Sequence, residues 1–387
     1  MPIVVGIPKE SYPGERRVAI IPSGIAALQK IGVEVLVEAK AGESAGYPDN
    51  DYSEKGAQVV SSRAEIFSTA DVILQLRGYG ANPEMGKADL ELMKEGQILI
   101  AGLEPLSEPD KIEELAKLKV TAFAMELMPR LTRAQSMDVL SSMANISGYK
   151  SVLLAADALP KMFPMSMTAA GTIIAAKVFI MGAGVAGLQA IATAHRLGAV
   201  VHAYDVRPVV KEQVLSLGAK FVDVELDTVG AEGATGYAKE MGQDFYRRQR
   251  EVMSKVIAES DVVITTAAIP GKKAPILITE DMVKGMRPRS VIVDLAAEHG
   301  GNCELTQPRQ TIEQHGVTII GPVNLASTVP YHASQMYNKN ITSFLELLVR
   351  EGKMDINLED EIIRETLVTQ NGEVVNPKVK ELMAVLN

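Results

Sequence analysis

Two doubly wound α/β domains with mostly parallel sheets are what this sequence predicts, on three observations. Short runs rich in Val, Ile and Ala alternate with segments of helical spacing, the pattern of strands joined by crossover helices. The chain has 387 residues, more than one hydrophobic core ordinarily organises. A glycine-rich turn, GAGVAG, stands at residues 182–187 between an apolar run and a helical segment.

The first alternation opens with PIVVGIP as a strand and PSGIAALQKIG as a helix, started by Pro22 and Ser23 and closed by Gly32. VEVLVEA is the next strand, and AEIFSTADVILQL, GQILIAGL and KIEELAKLKVTAFAMEL continue the pattern. A second alternation begins near Ala176. AKVFIM reads as a strand, Val185 to Leu197 as a helix, AVVHAYD as a strand, KEQVLSLG as a helix and AKFVDV as a strand. A long helix from about Tyr237 to Glu259 leads to three further strands in DVVITTAAI, SVIVDLAAE and VTIIGP, and His315 falls at a helix end. The tail reads as a helix, YHASQMYNKNITSFLELLVREGK, then two extended runs around Asn371-Gly372, a hairpin signal. A tail beyond a finished unit returns to the first domain. The expected division is therefore 1–145 with 329–387 as a discontinuous first domain, and 146–328 as the second.

Composition excludes several classes. The net charge of −9 argues against a nucleic-acid partner, which requires a basic face. Cys303 is the sole cysteine, so no intrachain disulfide can form and a reducing compartment is expected. The start MPIVVGIPKE lacks the basic and apolar regions of a signal peptide. The stretch from Ile173 to Ala194 is long and apolar enough to imitate a membrane span. Its spaced glycines and β-branched first third instead read as a buried strand followed by a buried helix.

Gly182, Gly184 and Gly187 stand in the G-x-G-x-x-G spacing, after a strand and at the opening of a helix. The first makes a tight turn, the second admits a pyrophosphate to the backbone, and the third lets helix and strand pack closely. This identifies the second domain as a Rossmann NAD-binding domain. Asp205 ends the next strand, about 20 residues on, where a carboxylate bonds the ribose hydroxyls and repels a 2′-phosphate. NAD(H) is therefore expected over NADP(H), although Arg207 beside it is of the type that accepts such a phosphate. The segment 225–242 carries Gly230, Gly233, Gly236 and Tyr237, and reads equally as a lid or as a slack connector.

An acid–base partner for hydride chemistry is missing. His195 and His202 lie inside the nucleotide unit, and His299 and His332 read as loop or helix-start residues. No H-E-x-x-H, paired cysteines or carboxylate cluster points to a metal. The chain is thus either an NAD sensor or a partner in a hydride transfer that needs no protein proton, such as transfer between two nicotinamides.

Several long motifs, in order, resemble the NAD(H)-binding component of proton-translocating transhydrogenase. They are MELMPRLTRAQSMDVLSS, GAGVAGLQAIATAHRLGAVVHAYDVRPVVKEQV, GYAKEMG, TTAAIPGKKAPILIT and SVIVDLAAEHGGNCE, with GIPKESYPGERRVAIIP at the start. Alanine dehydrogenase is similar but more distant. The resemblance implies that Arg130, Gln135, Asp138 and Ser141 grip the nicotinamide end. It further implies that Val185, Asp205, Val206 and Arg207 meet the adenosine end, that Tyr237 belongs to a loop closing on the cofactor, and that Gln249, Thr266 and Ala267 line the site. It implies a homodimer, peripheral on the cytoplasmic side of a bacterial inner membrane, working with a membrane-spanning subunit and an NADP(H)-binding subunit. The chain contains no membrane segment of its own, so that function is expected on another polypeptide. Alanine dehydrogenases carry a lysine and a histidine that activate the oxo acid. Gln75 and Gly102 stand at those positions, while Arg17 matches their carboxylate-holding arginine. A soluble amino-acid dehydrogenase of that type and a non-enzymatic NAD-responsive module are the alternatives.

Overall fold

A computed structural model describes residues 2–223, 243–268 and 271–386. The chain separates into two compact units, Met1–Met143 with Ser327–Asn387, and Ala144–Ala326. The first unit begins with strands β1 (Ile3–Ile7), β2 (Val33–Glu38), β3 (Gln58–Val60), β4 (Val72–Arg77), β5 (Ile98–Gly102) and β6 (Thr121–Ala124). They pair in parallel in the order β3-β2-β1-β4-β5-β6, so the chain winds outward from β1 in both directions. Strand periodicity sends Val72, Leu74, Ile98, Ile100 and Phe123 into one core cluster, and Ile73, Leu99 and Ala122 into another. Burial on both sides is why these strands read as continuous apolar runs rather than as alternating ones.

The second unit carries an isolated hairpin, β7 (Ser166–Thr168) and β8 (Gly171–Ile173). Its sheet holds β9 (Lys177–Met181), β10 (Val200–Tyr204), β11 (Lys220–Phe221), β12 (Val262–Thr265), β13 (Val291–Asp294), β14 (Thr311–Gln314) and β15 (Val317–Ile320). The order is β11-β10-β9-β12-β13-β15-β14, with β14 alone antiparallel. β9 is central, and the direction of winding reverses between β9 and β12, the switch point where open α/β sheets hold ligands. His315 corrects the expectation of a helix end. With Gly316 it forms the two-residue turn between β14 and β15, at φ +53° and +75°, a twist that suits a tight hairpin.

The chain then returns to the first unit through the helix Pro330–Leu348 and a small pair, β16 (Val349–Arg350) with β17 (Lys353–Met354). β18 (Leu367–Gln370) adds antiparallel to β6, and β19 (Glu373–Val374) to β18. The Asn371-Gly372 turn joins β18 to β19 as a hairpin, but the extended run before it is shorter than expected, a strand only over Leu367–Gln370 with its start folded as a helix over Glu361–Thr366. Asp360 caps that helix by accepting from the Ile362 N–H, a local signal that outweighs the β-branched residues. No helix among the described residues is long and apolar enough to cross a membrane.

Glu126, just after β6, makes the first unit sensitive to pH. Its Oε1 accepts from the Leu103 N–H, while Oε2 is buried without a hydrogen-bond partner among the described residues. Burial first, and then the Glu104 carboxylate, push its pKa up from 4.5 to about 7. The folded protein therefore holds a proton that the unfolded chain releases. This contribution to stability is complete below the unfolded value and is lost as pH rises through about 7. The urea midpoint is expected to fall between pH 5 and 8, and less so in Glu126→Gln, whose amide mimics the protonated acid. Parallel curves for parent and variant would remove Glu126 as the cause.

Candidate functional site

The glycine turn sits at the C-terminal end of β9. Gly182 has φ +102°, and a side chain there would meet the Thr266 hydroxyl at 2.5 Å. At Gly187 an added Cβ would lie 1.8 Å from the Gly182 carbonyl oxygen, so helix and turn are in contact through bare backbone. Gly184 differs from both. Among the described residues an added Cβ would meet only Arg207 Nη2, at 3.9 Å, so these residues leave the middle of the turn open where an anion would approach the backbone. The helix Val185–Arg196 begins here, with Val185 exposed at its first position.

Asp205, just past β10, reaches the same turn. Its Oδ2 accepts from the Ala183 N–H at 2.7 Å, and its Oδ1 from the Arg207 N–H at 2.8 Å. The Arg207 guanidinium also donates to both oxygens, Nε at 3.0 Å and Nη2 at 3.1 Å. The carboxylate is thus mostly enclosed and held by four donors. Val206 is half-buried against the cluster containing Tyr204, Met253 and Ile257.

Across β9 from Asp205, Thr266 follows β12. Its hydroxyl donates to the Gly182 carbonyl at 3.1 Å, tying the two strand ends together. Ala267 comes next and packs against the same cluster as Val206. Gln249 is buried, with its carbonyl oxygen unpaired among the described residues. Tyr237 lies outside the described residues. This end of the sheet can chemically receive an anion at the glycine turn and a diol at Asp205.

In the first unit, Gln135 and Arg130 are exposed, while Asp138 and Ser141 are half-buried. Asp138 precedes the helix Val139–Ala158 and accepts from both the Ser141 N–H, at 2.9 Å, and the Ser141 hydroxyl, at 2.6 Å. Asp138 therefore caps this helix, and the Ser141 proton is committed, leaving its oxygen as an acceptor. The turn Thr132–Met137 is anchored by residues that the sequence reading did not single out. Arg133 forks onto Asp360 at 2.8 and 2.9 Å, and the Asn340 amide donates to the Ser136 carbonyl at 2.9 Å. Arg17 is buried and its fork is filled by Glu15, at 2.7 and 2.6 Å. Gln75 is buried and donates to Asp89.

Gly148 is a further residue that sequence reasoning missed. A Cβ on it would lie 2.1 Å from the Ala186 carbonyl, so this glycine lets the helix Val139–Ala158 approach the first turn of Val185–Arg196. A glycine in the middle of a helix is the one signal that could have found it.

Residues 6–147 match the family model of the alanine dehydrogenase/PNT N-terminal domain, and residues 151–377 that of the C-terminal domain. The chain is 48% identical over 376 residues to the first segment of NAD(P) transhydrogenase subunit alpha of Rhodospirillum rubrum, covering 96% of this chain and 98% of that one. The crystal structure of transhydrogenase from Sinorhizobium meliloti superposes with a TM-score of 0.86 at 46% identity, over 96% of this chain and all of that one. An L-alanine dehydrogenase structure superposes with a TM-score of 0.81 at 27% identity, over the whole of both chains.

Proposed function

The chain belongs to the alanine dehydrogenase/PNT family, as an oxidoreductase of NAD(P) transhydrogenase alpha-subunit type, and on that premise we propose that it is the NAD(H)-binding subunit of a proton-translocating NAD(P) transhydrogenase. Hydride passes directly between NADH held here and NADP+ held by a partner subunit, coupled to proton movement through a membrane-spanning subunit. The protein is peripheral, on the cytoplasmic side of a bacterial inner membrane. The observation that carries the NAD(H) assignment is Asp205, a carboxylate bonded to the glycine turn at the tip of β10. Gly182, Gly184 and Gly187 form the pyrophosphate cradle. Val185, Val206 and Arg207 meet the adenosine end with Asp205, and Gln249, Thr266 and Ala267 line the site. Arg130, Gln135, Asp138 and Ser141 hold the nicotinamide, with the Ser141 oxygen accepting from its carboxamide.

The decisive experiment supplies a purified NADP(H)-binding transhydrogenase component and measures transfer from NADH to a bound NADP+ analogue. Transfer is expected, with no dependence on an oxo acid. NADH oxidation that requires an oxo acid instead would favour the amino-acid dehydrogenase reading. Against that reading stand Gln75 and Gly102, which can neither form the ammonium nor supply the imidazole of such a site. Binding without transfer would favour the NAD-responsive module.

The partner copy is a second chain of the same kind, and the β7–β8 hairpin supports this. Met162, Met165, Met167, Ile173 and Ile174 are all exposed on or beside a ribbon that joins no larger sheet among the described residues. No charged residue lies between Lys161 and Lys177. A two-stranded ribbon alone is marginal in water. Two copies covering these side chains would remove on the order of 1,000 Å², the lower end of a specific interface. Sedimentation should report a dimer, and Met167→Glu with Ile174→Glu a monomer that still binds NADH. A double variant that sediments as the parent would exclude the hairpin.

A further inference from the structure

We infer that Asn302 is a positioning residue for hydride transfer, acting through the Ala267 peptide, with Asp294 holding it in place. The inference rests on the NAD(H) reading above. Asn302 is fully buried, and its side chain behaves as a detached piece of β-strand. Oδ1 accepts from the Ala267 N–H at 3.0 Å, and Nδ2 donates to the Ala267 carbonyl at 2.8 Å. The same Nδ2 donates to the Pro275 carbonyl at 2.9 Å. The Asn302 carbonyl in turn accepts from the N–H groups of Leu277 and Ile278, at 2.8 and 3.0 Å.

Asp294, at the end of β13, fixes this loop. It is fully buried and carries five donors among the described residues. Oδ1 accepts from the Thr265 hydroxyl and the Ala296 N–H, and Oδ2 from the N–H groups of Asn302 and Cys303 and from the Thr306 hydroxyl. Gly301 is required for this approach. It has φ +79°, and a Cβ there would sit 2.8 Å from Asp294 Oδ2. Among the described residues, donors rather than a cation compensate the buried carboxylate, so its orientation is set by loop geometry.

The sheet order says which part of a dinucleotide this clamp serves. Asp205 ends β10, the glycine turn ends β9, and Ala267 follows β12 on the far side. A ligand with its adenosine at Asp205 and its pyrophosphate at the turn continues over β12 with its nicotinamide half. Ala267 therefore bounds the ring that must be placed, while the grip on the molecule lies elsewhere. Loss of the clamp should change rate more than affinity.

The test uses Asn302→Ala and Asn302→Asp in the full chain, assayed with the NADP(H)-binding component. Asn302→Ala orphans both polar groups of Ala267, and Asn302→Asp sets a carboxylate against two carbonyls. Since ring misplacement is costly, the transfer rate should fall ~10-fold or more while NADH affinity stays within ~3-fold. A merely structural role would lower the melting temperature and leave the rate per folded molecule unchanged, which would overturn the inference. So would a loss of affinity equal to the loss of rate. Should the amide variants fail to fold, Thr306→Val removes only one donor to Asp294 and is expected to slow transfer ~3-fold at unchanged affinity; an unchanged rate overturns the inference. A parent that binds NADH but shows no transfer sinks the transhydrogenase reading instead. Asn302 is then judged on the nicotinamide emission of bound NADH, which must differ between parent and variant for the inference to stand.

Discussion

Gln135→Asn is expected to slow hydride transfer about 100-fold while leaving NADH affinity nearly unchanged, because a misplacement near one ångström costs about that much. The substitution removes one methylene and keeps the amide. Backbone drift cannot readily restore the reach. The turn that carries Gln135 is fastened by the Arg133–Asp360 fork, by Asn340 to Ser136, and by the Asp138 cap that follows it. The fork is also felt at Asp360, whose carboxyl Arg133 holds below its usual range. Adenosine and pyrophosphate, at Asp205 and the Gly182 turn, keep most of the grip. Stopped-flow transfer between the two purified components, with NADH titrated in parallel, decides the matter. An unchanged rate, or a loss of affinity in proportion to rate, would show that Gln135 does not position the ring. No new pH-dependent step is expected in the variant, since the ring-to-ring transfer moves no protein proton.

Asp205→Asn should narrow the preference for NAD(H) over NADP(H) by about 100-fold, with both cofactors contributing. NAD(H) loses hydrogen bonds to a charged acceptor, worth about 1.5–3 kcal/mol. NADP(H) loses a repulsion and gains a cation. In the parent, Arg207 cannot readily serve a 2′-phosphate, because its guanidinium donates to both oxygens of Asp205. The neutral amide releases that fork, which is suited to bidentate phosphate binding. Asn keeps an acceptor for the Ala183 N–H, so the turn should survive. Breaking an enclosed ion pair does cost stability, and the melting temperature should fall. Titration of both cofactors on the parent and the variant measures the effect. A preference unchanged in the variant would remove Asp205 as its source, and Arg207→Ala in the Asp205→Asn background should abolish any gain in NADP(H) affinity.

The two sheets were legible because each strand buried on both faces must be an apolar run, and each crossover helix must carry an apolar stripe. Where local readings failed, another local signal had more weight. Asp360 caps a helix in a segment rich in isoleucine, and the tight turn at His315-Gly316 makes a hairpin where a helix end was expected. The hairpin at 166–173 escaped notice because its few residues merge into the apolar run that follows.

By itself, the sequence determined the class of chain, the parallel sheets, the glycine turn and the carboxylate about 20 residues beyond it, since each is encoded by neighbours along the chain. Tertiary structure alone decided that Arg207 closes its guanidinium on both oxygens of Asp205, that Arg133 anchors its turn to Asp360, and that Asn302 clamps Ala267. The last two join residues 227 and 35 positions apart. Hydrogen bonds across such separations depend on where whole strands and loops come to rest, and no periodicity or spacing records them.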